Sequence, residues 1–162
     1  MLRKNFIAIL SAALLVLFTT TVIAVEPQID TRVADAAMMG DSKTVRSLLR
    51  EAVDVNSAQG DGMTALHWAA LNNDVELAKL LIYAGANTAA TTRLQAYTPL
   101  FLASKSGHPR VVNILLEAGA DPKRSATGGI TTLMMAASSG DAETVKLLVE
   151  AGVDVNAAET AR

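Results

Sequence analysis

The chain has 162 residues, of which 51% are hydrophobic and 19% are charged, a composition typical of one folded domain rather than of a disordered tail. Lys and Arg total 14 against 16 Asp and Glu, so the formal net charge is −2 and a basic surface for nucleic acid is not indicated. With no cysteine and only 2 histidines, disulfides, cysteine nucleophiles and Cys-ligated or multi-histidine zinc sites are excluded, and we expect neither a metal nor another cofactor.

The first 24 residues predict a signal peptide. Arg3 and Lys4 precede an apolar run over 6–18, and small residues lead up to Ala24, which is the order found in secretory leaders. We expect cleavage after Ala24 and export to the periplasm or the medium, since the leader is typical of bacteria. The alternative is an uncleaved anchor in the inner membrane, because no charged residue lies between Lys4 and Glu26.

An internal repeat of about 33 residues fills the rest of the chain. Three kinds of marker keep this spacing: a threonine, a glycine or asparagine, and a glycine or alanine. They are Thr31, Thr64, Thr98 and Thr131; Gly40, Asn73, Gly107 and Gly140; and Ala52, Gly85, Gly119 and Gly152. The period predicts stacked copies of one structural unit.

Each unit predicts two short helices. The threonine is suited to cap the first helix, and the glycine or Asn73 to end it with a left-handed residue. An acidic cap then begins a second helix with an apolar stripe, and a glycine follows it in three units; the caps are Asp41, Asp74 and Asp141. Helices of about eight to ten residues are marginal alone, so we expect them to persist by stacking on neighbouring units.

The repeated motif resembles the ankyrin repeat. The segments 64–70 and 98–104 stand where that family has its Thr-Pro-Leu-His-x-Ala-Ala opening. The resemblance implies an all-α ankyrin-repeat solenoid over 28–160, with about four repeats near 28–57, 58–90, 91–124 and 125–157. The motif residues that carry it are Thr64, His67, Thr98, Pro99, Gly107, Gly119, Thr131, Gly140 and Gly152.

Two units depart from the family pattern. The first is degenerate and has Ala52 where glycine is usual, which is typical of an N-terminal capping repeat. The fourth lacks the polar character of a terminal cap, so we expect the array to continue beyond Arg162. For this chain alone we expect a monomer, and otherwise part of a larger array.

The polar residues of the repeats favour structural roles over catalytic ones. The resemblance implies that His67 bonds within and between neighbouring turns, while His108, beside Pro109, is expected to cap a helix. Asp54, Asp121 and Asp154 are expected to fix turns by local hydrogen bonds. A calcium ladder is the alternative, although no run concentrates enough oxygen ligands. We therefore predict no catalytic residue.

The resemblance further implies a partner-binding surface made by the hairpin-like tips and the exposed side of the first helices. The expected contact residues are Asp61, Met63, Trp68, Leu71, Asn72, Gln95, Tyr97, Lys105, Ser106 and Ile130. Trp68 and Tyr97 are the expected anchors, because aromatic side chains carry much of the energy of interfaces. Packing between repeats is the alternative role of Trp68. Met38 and Met39 end the first short helix, where the concave face begins.

These features predict a non-enzymatic module for protein–protein interaction in an exported bacterial protein. One alternative is an N-terminal accessory segment of a longer repeat protein or enzyme, with the catalytic part beyond Arg162. Another is a scaffold tethered to the membrane by an uncleaved leader. The sequence identifies no particular protein partner.

Overall fold

The computed structural model describes residues 30–157, so the predicted signal peptide over 1–24 lies outside the described residues. Within this range the chain forms helices without a β-strand, as predicted. They are α1 (Arg32–Met38), α2 (Ser42–Arg50), α3 (Ala65–Leu71), α4 (Val75–Tyr83), α5 (Pro99–Lys105), α6 (Pro109–Glu117), α7 (Thr132–Ser139) and α8 (Ala142–Glu150). A single 3-10 turn, Thr127–Gly129, precedes α7.

The helices form two layers. Each odd-numbered helix packs on the helix that follows it, and α1, α3, α5 and α7 also pack on one another in sequence. The outer helices α2, α4, α6 and α8 form the second layer. Contacts between α4, α6 and α8 are less extensive than those between the inner helices. The inner helices are packed more closely than the outer ones. This arrangement confirms the predicted all-α solenoid, and the side of the inner helices is the one that the ankyrin resemblance assigns as concave.

Three of the four inner helices are shorter than the eight to ten residues we expected. The helices α1, α3 and α5 have 7 residues each and α7 has 8, whereas every outer helix has 9. The turn after each inner helix contains a left-handed residue, and this backbone conformation cannot continue a right-handed helix.

The predicted acidic caps are confirmed. The carboxylates of Asp41, Asp74 and Asp141 each accept the backbone N–H of the residue three positions later, at 3.0, 2.9 and 2.9 Å. The Thr44 and Thr144 hydroxyls also donate to Asp41 and Asp141, both at 2.6 Å. These hydroxyl bonds, with the backbone bonds, hold the pKa of both carboxyls below the ordinary 3.8. Local capping thus fixes where α2, α4 and α8 begin.

The left-handed turn positions also follow the predicted markers. The motif glycines all have positive φ, with values of 63, 81, 77 and 80° at Gly107, Gly119, Gly140 and Gly152. Asn73 has φ 54°, and Ala52 has φ 58°. A Cβ atom in this region is sterically unfavourable, so Ala52 is a strained replacement for the glycine that the other repeats have there.

The core lies between the two layers. Leu66, Leu81, Leu100, Leu115 and Leu148 are fully buried there, each with 0% exposure. They belong to the stripes that recur along the repeats, and their burial provides the main stabilisation of helices this short.

One residue of the predicted stripes departs from this pattern. Val149 on α8 is 43% exposed, because α8 is the last helix that the structure describes and no further helix of residues 30–157 packs on it. Within residues 30–157, no helix combines the length and apolarity needed to cross a membrane.

Candidate protein-binding surface

His67 joins the second and third repeats. Its Nδ1 lies 3.2 Å from the Thr64 backbone nitrogen and 2.8 Å from Thr64 Oγ1, while its Nε2 lies 3.0 Å from the Tyr97 carbonyl oxygen. Because Nδ1 accepts the Thr64 N–H, Nε2 carries the ring proton, and Nε2–H donates a hydrogen bond to the Tyr97 carbonyl oxygen. This geometry confirms the expected bonding within and between neighbouring turns.

The His67 ring is neutral and fully engaged. It has 0% exposure, and burial lowers its pKa below the ordinary 6.5, against smaller opposing effects of the Tyr97 and Ala90 carbonyls and the Asp61 charge. Because both ring nitrogens are hydrogen-bonded inside the protein, His67 has a structural role beside Tyr97 in the third repeat.

The expected capping role of His108 is wrong. His108 stands at the N-cap position of α6, but its side chain makes no capping hydrogen bond. Instead its Nδ1 lies 3.0 Å from the Ala70 carbonyl oxygen at the end of α3. Pro109 follows at the first helical position and has no N–H to satisfy, so the imidazole is available to tie the third repeat to the second.

The turns that lead to the next repeat are fixed by Asp and Asn side chains, as predicted. Asp54 accepts the Asn56 backbone N–H at 2.8 Å. The Asn56 amide in turn donates to the Gly85 carbonyl at 3.2 Å and accepts the Asn87 backbone N–H at 2.7 Å. Asp121 and Asp154 accept a backbone N–H two residues later, both at 2.9 Å. In residues 30–157, no group of three or more His, Asp or Glu side chains is arranged to hold a metal ion.

The three tips that project from the helices form a continuous ladder. Each tip closes through a backbone hydrogen bond: Gln59 to Met63 at 2.9 Å, Thr92 to Tyr97 at 3.0 Å, and Ala126 to Ile130 at 2.8 Å. Neighbouring tips are also joined, by Arg93 N–H to the Asp61 carbonyl at 2.8 Å and Thr127 N–H to the Gln95 carbonyl at 3.0 Å. Backbone bonds therefore hold the tips in one fixed arrangement.

Gly62 permits the tip of the second repeat to lie directly against the backbone of the third-repeat tip. It has φ 88°, and a Cβ atom at this position would lie 2.9 Å from the Arg93 backbone nitrogen. Only glycine fits a left-handed residue against a neighbouring backbone at this distance.

We define the concave surface as the three tips together with the exposed ends of the inner helices. Five of the predicted contact residues are exposed on it: Asp61, Leu71, Asn72, Gln95 and Lys105. Four are partly buried: Trp68, Tyr97, Ser106 and Ile130. Their roles in binding remain predictions.

Met63 corrects the predicted set. Its side chain is only 8% exposed, so it offers almost no surface to a partner. Met63 lies on the returning side of its tip, between the buried Gly62 and Thr64, where the chain enters the packed interior before α3.

Trp68 packs between repeats and is also partly exposed. Its ring contacts the hydrophobic core, and its Nε1–H donates to Gln59 Oε1 at 2.8 Å. The Gln59 amide donates in turn to Asp35 Oδ1 in the first repeat at 2.6 Å. Trp68 therefore has the alternative role in packing between repeats, whereas its role as a binding anchor stays a prediction.

Tyr97 is held as a rigid, partly exposed aromatic group. Its ring stacks on Phe101 with centroids 4.4 Å apart and an interplanar angle of 11°. Lys105 Nζ lies 5.5 Å from the Tyr97 ring centroid, within the range of a cation–π interaction. Two successive contacts along α5 thus restrict the rotamers of Tyr97.

Leu94, which is 84% exposed in the tip of the third repeat, was not among the predicted contact residues. Its signal is a lone leucine between Arg93 and Gln95, where turn residues are usually polar. Leu71 at 37%, Met38 at 36% and Met39 at 75% add exposed apolar surface at the ends of α3 and α1. The concave surface therefore carries exposed apolar side chains among its polar ones in the first three repeats.

Comparison with known proteins agrees with this architecture. A family model of ankyrin repeats in three copies matches residues 33–126, and a single ankyrin-repeat model matches 128–159. Ankyrin repeats are modules for protein–protein interaction.

Among similar curated proteins is palmitoyltransferase Hip14 of Drosophila melanogaster, 36% identical over 97 residues, which cover 59% of this chain and 15% of that protein. Another is ankyrin repeat and SOCS box protein 3 of Homo sapiens, 39% identical over 89 residues, which cover 54% of this chain and 17% of that protein. The matched region thus spans less than a fifth of either relative. The repeat models together extend over nearly all the described residues, and the chain belongs to the ankyrin repeat family.

Proposed function

We propose that the chain binds a partner protein, without catalysis, through its concave surface. The observation that carries this proposal is that hydrogen bonds between repeats fix the tips while Leu71, Leu94 and Tyr97 remain accessible. A surface that is ordered before binding loses little conformational entropy in the complex. Accessible aliphatic and aromatic side chains then provide apolar area for contact.

The contact is centred on the second and third repeats. There the tips expose Asp61, Leu94 and Gln95, and α5 adds Lys105 beside Tyr97. The fourth repeat offers chiefly Ser138 and Ser139 at the end of its inner helix. Small hydroxyl side chains bury little apolar area, so this repeat contributes less to the binding energy.

Binding is tested by charge and polarity changes on the two sides of the solenoid. We expect the double variant Leu94→Asp/Lys105→Glu to bind a partner captured from periplasmic extract about tenfold or more weakly. The matched control is Lys146→Glu on the outer helix α8, which makes the same lysine-to-glutamate change away from the concave surface. Equal losses in both variants, at unchanged melting temperature, would contradict the proposed site.

We also propose that the protein is exported from a bacterial cell through the leader at 1–24. The support is the order of charged, apolar and small residues in that segment. N-terminal sequencing of the mature protein tests it, with a first residue of Val25 expected. An intact Met1 in the membrane fraction would instead favour the tethered scaffold.

A second candidate is that the repeats form a recognition segment of a longer protein. The similarity to palmitoyltransferase Hip14, which covers 15% of that protein, favours this arrangement. Sequencing the locus beyond the codon for Arg162 tests it. An open reading frame into another domain would support the candidate, whereas an immediate stop codon would contradict it.

A further inference from the structure

The outer helix α2 carries an excess of positive charge, although its two cap residues, Asp41 and Glu51, are acidic. Its 9 residues include Lys43, Arg46 and Arg50 and no carboxylate. Among the described residues, no Asp or Glu forms a salt bridge with any of these three cations. The chain as a whole has a net charge of −2, so this positive patch stands out on an acidic protein.

Other outer helices pair their lysines internally. Lys79 lies 3.5 Å from Glu76 on α4, and Lys146 lies 3.8 Å from Glu150 on α8. An outer helix of this repeat can therefore hold a Lys–Glu salt bridge on its surface. In α2, by contrast, Arg46 and Arg50 are one helical turn apart on the same face, where like charges repel each other.

A cleft separates α2 from α4. The helices α4, α6 and α8 pack successively on one another, whereas α2 makes few or no direct contacts with α4. The repeat position filled by Leu80, Ile114 and Leu147 in the later outer helices is Ser47 in α2, which is too small to bridge the gap. The resulting cleft of about 280 Å³ is lined by Arg46, Leu49, Arg50, Leu80, Tyr83 and Ala84.

Tyr83 stands at the rim of this cleft with 93% exposure. The equivalent positions of the other repeats hold Arg50, Glu117 and Glu150, which are charged residues suited to solvent. A tyrosine this exposed contributes little packing among the described residues, yet it is a residue type favoured in protein interfaces.

We propose that the α2–α4 cleft binds an acidic segment of a partner protein. Two carboxylates of that segment pair with Arg46 and Arg50, which are separated by about 6 Å along the helix axis. An apolar side chain between them packs on Leu49 and Leu80, and the Tyr83 ring covers it. The cleft combines two arginines with the apolar Leu49 and Leu80, which favours a peptide segment that has both acidic and apolar side chains. This site lies on the outer layer and is distinct from the concave surface.

Fluorescence anisotropy with a labelled helical peptide tests the proposal. The probe is an alanine-based peptide that has Glu at every fourth position and one Leu between successive Glu residues. The control peptide has Gln in place of each Glu. We expect the Glu peptide to bind the full chain about tenfold more tightly than the Gln peptide, and Arg46→Glu/Arg50→Glu to remove that preference. The matched control, Lys79→Glu/Lys146→Glu, changes the net charge equally and should leave binding unchanged. Circular dichroism verifies that both variants are folded.

Three results of the peptide and vesicle binding assays would overturn the proposal. One is equal binding of the Glu and Gln peptides, and another is an equal loss in both charge-reversal variants. The third is binding to phosphatidylglycerol vesicles through Arg46 and Arg50 without binding of the peptide, which would make the ligand a lipid.

The two binding surfaces are separable in the same assay. Trp68, the single tryptophan of the chain, lies on an inner helix, so occupation of the α2–α4 cleft should leave its emission unchanged. A peptide whose binding changes Trp68 emission and is lost in Leu94→Asp occupies the concave surface instead. That outcome would contradict the cleft site while leaving the proposed function intact.

Discussion

Ser104 places a hydroxyl in the core where the first two repeats have Ala37 and Ala70. It has 0% exposure, and within the described part of the chain its Oγ has no hydrogen-bond partner. An unsatisfied buried hydroxyl costs free energy, so Ser104→Ala should raise the free energy of unfolding by about 1 kcal/mol. Urea unfolding measures the change, and a destabilised variant would show that the hydroxyl contributes a favourable interaction.

Ala52 has φ 58° at the position that glycine occupies in the later repeats. Ala52→Gly relieves the strain but adds freedom to the unfolded chain, so we expect a net stabilisation of about 0.5–1 kcal/mol. The matched control is Ala118→Gly, because Ala118 has φ −81° and should lose stability. Thermal unfolding of both variants distinguishes relief of strain from a general effect of glycine.

His67 makes stability depend on pH. Burial lowers its pKa in the folded state below the ordinary 6.5, so the unfolded chain binds more protons as the pH falls through that value. Stability is therefore fully present above about pH 6.5 and declines as the pH falls toward the folded-state pKa. The pKa values of Asp41 and Asp141 are lowered below 3.8, so those carboxylates respond only in stronger acid.

The test compares urea midpoints at about pH 7.5 and about pH 5. The wild-type midpoint should be lower in acid, whereas His67→Gln should lose most of this difference. An equal pH dependence in the variant would assign the effect to other groups.

At the scale of elements, the tip of the second repeat offers a matched pair of glycines. Gly62→Ala places a Cβ atom 2.9 Å from the Arg93 backbone nitrogen at φ 88°, and we expect it to cost about 1–3 kcal/mol and to weaken partner binding. Gly60→Ala, where nothing lies within 4 Å of the added Cβ, should be nearly neutral. Unfolding and binding measurements on both variants test whether the tip ladder shapes the concave surface, and equal effects would contradict it.

The sequence predicted the elements whose signals are local. Asp41, Asp74 and Asp141 cap helices within three residues of themselves, so their roles are readable from short segments. The role of His108 was not, because its partner, the Ala70 carbonyl, lies 38 residues earlier. Which group a side chain meets across a repeat boundary depends on the stacking of the helices.

For the whole molecule, the repeat period predicted the solenoid but not its surface in detail. The position before the motif threonine holds the buried Met63 in the second repeat but the partly exposed Tyr97 and Ile130 in the next two, and only the three-dimensional ladder distinguishes them. The α2–α4 cleft likewise arises from Ser47 at a position that later repeats fill with larger residues. Periodicity describes what the repeats share, whereas the candidate binding surfaces come from the residues in which they differ.

Site-specific photo-crosslinking tests the central claim, binding through the concave surface, most directly. A photoreactive residue replaces either Leu94 in the tip of the third repeat or Glu143 on the outer helix α8, both of which are exposed. Each variant is irradiated in the extract that contains the partner. We expect a specific crosslinked partner from position 94 and none from position 143. Capture of the same partner from position 143, with none from position 94, would contradict it.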